Sequence, residues 1–135
     1  MVALAALAAG GTATAAGAPT PPVIQEPFTP LPCPIHPDTT IDVEGCQEHR
    51  ILRTDRAIDK EVKTIFGLLR TGDARASFAA GEQDWLRYRR RSCAAEAAVY
   101  AGGSAAPVAY LSCALRRNRT HLADLRAMRK VLATP

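Results

Sequence analysis

Two cysteine–histidine pairs are the first residues of this 135-residue chain whose spacing could do chemistry. Cys33 precedes His36 by three positions, and Cys46 precedes His49 by the same interval. Two sulfur and two nitrogen ligands at such a spacing resemble a structural zinc set. The alternative is a disulfide between the two cysteines, which the stiff prolines around Cys33 and an oxidising compartment favour. We therefore expect no metal here, and the zinc set stays a less favoured alternative.

Trp85, Arg89 and Cys93 are the second group, because residues four apart share one face of a helix. The glycines at 102–103 end that helix before Cys113 appears, which predicts a cross-linked helical hairpin. A guanidinium on the inward face needs partners, since burying it unpaired is costly. Arg89 is expected to form a salt bridge to an acid on the first helix, and recognition of an acidic partner is its alternative role.

The four cysteines are an even number in a short chain, which favours a disulfide framework. Three pairings are possible. We favour Cys33–Cys46 with Cys93–Cys113, because each bond then joins an element to its sequence neighbour. Loops of that size could contribute about 3 kcal/mol each by restricting the unfolded chain.

The periodicity of apolar residues predicts an all-α domain of three helices held by two disulfides. A first helix, capped by Thr39 or Thr40, carries one apolar stripe. A second should run over about residues 74–100, with Tyr100 turned inward, and Ser104 should cap the third. No stretch alternates as a strand would. The stripe of the first helix comprises Ile51, Ile58, Val62, Ile65, Phe66 and Leu69.

The residues before the helices predict export. Residues 1–18 carry no charge and are too short and weakly apolar for a membrane span, and small residues at 13–15 offer a cleavage site. Residues 19–37 are rich in proline, which favours an extended linker. The helical domain then covers residues 38–135. We expect a secreted or periplasmic protein without a membrane span.

The charge distribution and the absence of catalytic motifs favour a binding function over catalysis. The net charge is +4, and two arginine-rich runs predict a solvated basic face or attraction to anionic envelope polymers rather than to nucleic acid. No serine elbow, phosphate loop or zinc-protease motif occurs, so we expect no catalytic residue and no cofactor. The runs are Arg87, Arg89, Arg90 and Arg91, and Arg116, Arg117 and Arg119.

Over roughly residues 33–125 the chain resembles the LprI-like lysozyme inhibitor N-terminal domain family of small exported bacterial proteins. It departs from the family pattern at Arg90, where an acid is usual, and at Glu82, where glutamine is common. The matching residues are Trp85, Tyr88, Arg89, Cys93, Gly102, Gly103, Ser104 and Cys113, with Cys33 and Cys46 as the N-terminal cysteine pair.

The resemblance implies an exported binding module that inhibits a lysozyme by protein–protein contact, or else contacts another envelope protein. The candidate contact is the turn formed by Gly102, Gly103 and Ser104, with the alternative that these residues only end one helix and cap the next; Arg89 is a candidate contact through its alternative recognition role. The acidic start of the first helix is the competing surface, through Asp42, Glu44 and Glu48. The alternative function is an envelope accessory protein whose basic face binds anionic polymers, and a Cys/His metal-binding domain is less favoured.

Overall fold

The computed structural model describes residues 18–134, and these form three long helices without a strand. They are α1 (Thr40–Leu68), α2 (Gly72–Ala98) and α3 (Ala105–Ala133). The predicted all-α architecture is confirmed. The predicted signal segment, with its cleavage site, lies almost entirely outside the described residues. None of the helices within residues 18–134 is long and apolar enough to cross a membrane.

Capping residues explain where two of the helices begin. Thr39 Oγ1 accepts the backbone N–H of Asp42 at 3.1 Å, and the Asp42 carboxylate accepts the N–H of Thr39 at 3.0 Å. This reciprocal pair satisfies two of the free donors at the start of α1. Thr71 caps α2 by accepting the N–H of Ala74 at 3.2 Å. The prediction that Ser104 caps α3 is wrong, because its backbone is already helical and its hydroxyl makes no capping bond.

Helices α1 and α3 lie side by side and run in the same direction, while α2 runs the opposite way and packs mainly on α3. Side-chain hydrogen bonds between α1 and α3 join early residues to early residues and late residues to late residues of the two helices. The Gln47 amide donates to Ser112 Oγ at 2.8 Å, and Arg129 Nε donates to Glu61 at 2.6 Å. The starts of α1 and α3 therefore lie at the same end of the molecule as the turn after α2.

The core consists of two apolar clusters with a polar layer between them. The cluster near the start of α1 and α3 comprises Ile51, Cys93, Leu111, Cys113, Ala114 and Leu115. The cluster at the opposite end comprises Ile58, Val62, Ile65, Leu69, Leu122 and Leu125. Asp55, Arg89 and Asn118 are buried at positions between the two clusters along their helices.

Residues 22–33, which we call the N-terminal strap, pack against the helices. Ile24 N–H donates to Asp59 at 3.1 Å, and Leu31 N–H donates to Glu48 at 2.6 Å. The strap thus runs antiparallel to α1, and Ile24 and Phe28 pack on the two core clusters. The stretch has no helix or strand, in agreement with the extended backbone that its prolines predict, and it also contacts the helices.

Gly45 on α1 lets the strap approach closely. A Cβ atom at this position would lie 2.3 Å from the carbonyl oxygen of Pro32, a distance that real Cβ atoms do not tolerate. The absence of a side chain at Gly45 therefore allows the strap to reach Cys46, to which Cys33 is bonded.

Candidate partner-binding site at the disulfide-bonded end

Both predicted disulfides are confirmed: Cys33 is bonded to Cys46, and Cys93 is bonded to Cys113. The sulfurs of the first pair are thus unavailable as metal ligands, and the zinc alternative is wrong. His49 instead places Nε2 3.0 Å from the Leu31 carbonyl oxygen. Within residues 18–134 no group of three or more His, Cys, Asp and Glu side chains is arranged to hold a metal ion.

Arg89 lies in the buried polar layer and is only 2 % exposed. Its guanidinium donates to Asp55 at 3.1 Å and to the side-chain oxygen of Asn118 at 2.8 Å, and it is paired with Glu26 of the strap. The Asn118 amide also donates to Asp55 at 2.7 Å. The predicted salt bridge to an acid on the first helix is therefore present. A partner could reach this guanidinium only if the strap moved, so the geometry supports a structural role for Arg89.

Asp55 is the group in this layer whose ionisation is most perturbed. Burial is the largest cause that raises the pKa of Asp55, to about 6; the Arg89 guanidinium opposes this rise, and the nearby Glu26 carboxylate adds to it. One guanidinium serves two buried carboxylates, which leaves an excess of negative charge. The layer consequently has its most favourable charge balance when Asp55 is protonated.

Trp85 belongs to a stack that packs α2 against α3. Its ring lies 3.8 Å from that of His121, with 13° between the planes, and the Arg89 guanidinium lies 5.4 Å from its centroid. His121 Nε2 is 2.8 Å from Glu82 Oε2, and Glu82 is buried. The tryptophan and the glutamate that departs from the family pattern thus act together in helix packing.

The turn between α2 and α3 lies at the disulfide-bonded end, and residues 98–105 are all exposed. Gly102 has a φ of 73°, in the left-handed region that favours glycine. Val99 is 81 % exposed and Tyr100 is 50 % exposed. The prediction that Tyr100 faces inward is wrong, because α2 ends at Ala98 and the chain has already turned outward.

The turn is firmly held at its base. The Cys93–Cys113 bond joins α2 to α3 within the buried cluster, and both sulfur-bearing residues are fully buried. Within the turn, Gly103 N–H donates to the Tyr100 carbonyl oxygen at 2.9 Å, and Ala106 N–H donates to that of Gly103 at 3.1 Å. Such a loop loses little conformational freedom when it binds a partner.

A groove of about 270 Å³ lies beside the start of α3. Phe28, Tyr110 and Leu111 supply apolar walls, and Glu44 and Glu48 supply carboxylates. Glu48 is buried and accepts the Leu31 N–H, so its charge is fixed in place. The structure thereby brings two of the predicted contact surfaces, the glycine turn and the acidic start of α1, to one end of the molecule.

The two predicted basic runs do not form one continuous face. Arg89 is buried, Arg87 pairs with Asp84, and Arg116 pairs with Glu96 at 2.7 Å. These pairings reduce the charge that the runs present on α2 and α3.

The fold and its cross-links define a small, disulfide-bonded helical protein, and two disulfides point to an oxidising, extracytoplasmic compartment. The family model described as "Lysozyme inhibitor LprI" matches residues 33–125, and the chain belongs to this family. That family is described by inhibition and not by a reaction. No curated protein and no solved structure matches the chain.

Proposed function

We propose that this protein is a secreted or periplasmic binding module that inhibits lysozyme by protein–protein contact and catalyses no reaction. Membership of the family supports this function. The observation that carries the site is the exposed turn at residues 98–105, which the Cys93–Cys113 bond holds rigidly at its base. We assign the primary contact to this turn.

The chemistry of the turn suits a lysozyme cleft, which is lined by two catalytic carboxyl groups. Among the described residues, the backbone N–H groups of Gly102 and Ser104 donate to no other backbone group, and the Ser104 hydroxyl is not used as a cap. They lie at the start of α3, where the helix dipole favours negative charge. A carboxylate of the cleft could therefore accept hydrogen bonds from the turn.

Charge complementarity would be local and not global. The chain carries a net charge of +4, and animal lysozymes are typically basic, so long-range attraction does not accelerate their encounter. Glu44, in the groove beside the start of α3, is the carboxylate that a cationic side chain of the enzyme could reach, because Glu48 is buried beneath the strap. We expect modest affinity that depends on close fit.

Val99→Asp is the sharpest test of the turn. A charge in place of an exposed apolar contact should weaken inhibition by about tenfold, equivalent to roughly 1–2 kcal/mol of binding free energy. Val131→Asp is the matched control, because Val131 is 74 % exposed, also lies near the end of a helix, and is at the opposite end of the molecule. The measurement is the inhibition constant against several lysozyme types, with circular dichroism to verify the fold.

Two outcomes would contradict the proposal. Equal loss of inhibition in the two variants would show that the turn is not the contact surface. Full activity of every lysozyme type in the presence of the oxidised protein at about 50 μM, a weak-binding regime, would remove the inhibitor function itself.

A further inference from the structure

The outward face of α1 carries a continuous row of cations that neither the fold nor the proposed lysozyme contact uses. From residue 49 to residue 64, every exposed position of α1 is a cation, a histidine or a threonine. The five cations recur at intervals of three, three, four and three residues, which keeps them on one face of the helix. They are Arg50, Arg53, Arg56, Lys60 and Lys63, and we call them the α1 basic stripe.

Carboxylates of the described residues leave this stripe unpaired. Among residues 18–134, none of its five members lies in an ion pair. The acids of the same part of α1 are turned toward the strap or toward α3. Asp55 is buried, Asp59 accepts the Ile24 N–H, and Glu61 pairs with Arg129.

The stripe is also uncovered by other elements. Helix α1 packs on α3 and the strap, and it hardly touches α2. Next to the start of the stripe, Arg50 shares a surface depression with Arg119 of α3, which lies in no ion pair among residues 18–134, and with Arg116, whose charge is balanced by Glu96. The positive surface therefore widens onto α3 at one end.

The shape of the stripe fits a linear anion. Thirteen residues separate Arg50 from Lys63, which corresponds to about 20 Å along the helix axis. Exposed large apolar side chains, which anchor protein interfaces and membrane-surface helices, are missing from the stripe itself. Aromatic side chains that could stack nucleic-acid bases are missing from it as well.

We propose that the α1 basic stripe binds a flexible linear polyanion that carries phosphate or sulfate groups. Each arginine can donate two parallel hydrogen bonds to an oxyanion, whereas the lysines act as point charges. The site lies on the helix face opposite the core and does not include the turn at residues 98–105. The same molecule could thus hold an anionic polymer and a lysozyme at separate surfaces.

Titration of the full oxidised chain with inorganic polyphosphate and with dextran sulfate tests the proposal. If about five contacts displace counterions, the logarithm of the affinity should fall with the logarithm of the salt concentration with a slope of about −3.5. The two polymers distinguish a preference for phosphate from one for sulfate. Preferential binding to vesicles of phosphatidylglycerol and phosphatidylcholine would assign the stripe to membranes. Preferential binding to single-stranded DNA would assign it to nucleic acid. Either result would overturn the proposal.

The double variant R53E/R56E should bind both polymers at least about tenfold more weakly and show a shallower salt dependence. R87E/R91E on α2 is the control, because it makes the same change in net charge at two exposed positions outside the stripe. An equal loss of affinity in both variants would show that net charge, and not the stripe, determines binding. Lysozyme inhibition by R53E/R56E should match that of the wild type, so failure of one proposal does not imply failure of the other.

Discussion

Replacing Arg89 with methionine tests the buried polar layer, because methionine fills a similar volume without donors. The change removes the cation that serves Glu26 and Asp55. Glu26 lies on the strap and can move into water, but Asp55 is fixed on α1 and only 4 % exposed. One stranded carboxylate of this kind costs about 3–5 kcal/mol in the free energy of unfolding at neutral pH.

Urea denaturation of the oxidised protein, followed by circular dichroism, measures this cost. R87M is the matched control, since Arg87 forms an exposed pair with Asp84 that is worth at most about 1 kcal/mol. Adding D55N to R89M should recover most of the lost stability, because a neutral amide is far cheaper to bury than a carboxylate. Equal costs for R89M and R87M, or no recovery in the double variant, would refute the role assigned to the layer.

Two further changes test the layer and the strap. Because the pKa of folded Asp55 is about 6 against an ordinary 3.8, its contribution to stability is greatest at low pH and is lost between about pH 4 and pH 6, by at most about 3 kcal/mol. Comparing D55N with the wild type across that range isolates the effect, and parallel stability curves would contradict it. Gly45→Ala should destabilise the protein by about 1–3 kcal/mol, because its Cβ meets the Pro32 carbonyl oxygen. Gly67→Ala is the control, because nothing lies within 4 Å of its new Cβ, and it should stabilise the protein by up to about 1 kcal/mol. Equal melting temperatures of the two variants would show that the strap does not pack against Gly45.

The sequence predicted the three helices through their apolar periodicity, and the order of the cysteines favoured, among three possible pairings, the one that the structure has. It also predicted the ion pair of Arg89 with α1, since a guanidinium on the inward face needs a carboxylate. The partner Glu26 was missed, although a signal was present. Ile24, Glu26 and Phe28 alternate at the two-residue period of an extended chain, and all three are turned toward the helices. The density of prolines drew attention to a linker and away from this alternation.

The α1 basic stripe was missed for a different reason. Its cations are three or four positions apart, so no run of adjacent arginines reveals them, and the acids between them make α1 look mixed in charge. Only the placement of the core and the strap shows that the acids Asp55 and Asp59 are turned away from the cations. Runs of adjacent arginines, such as residues 89–91, suggest a basic face in the sequence but do not form one. Adjacent positions of a helix point in different directions.

The two apolar clusters differ in composition, and both disulfides lie at the end with the smaller side chains. The cluster beyond the layer contains six aliphatic residues with broad side chains, whereas the cluster at the turn includes a disulfide and Ala114 in their place. Cysteine and alanine side chains bury less apolar surface than leucine, isoleucine or valine, and the covalent bonds at this end add stability by restricting the unfolded chain. The hydrogen bonds that join Asp55, Arg89 and Asn118 meanwhile form only in one register of the three helices, so a shift of any helix would strand a buried charge. The turn that we assign to partner binding is therefore positioned by covalent bonds below it and by a polar layer that fixes the alignment of the helices.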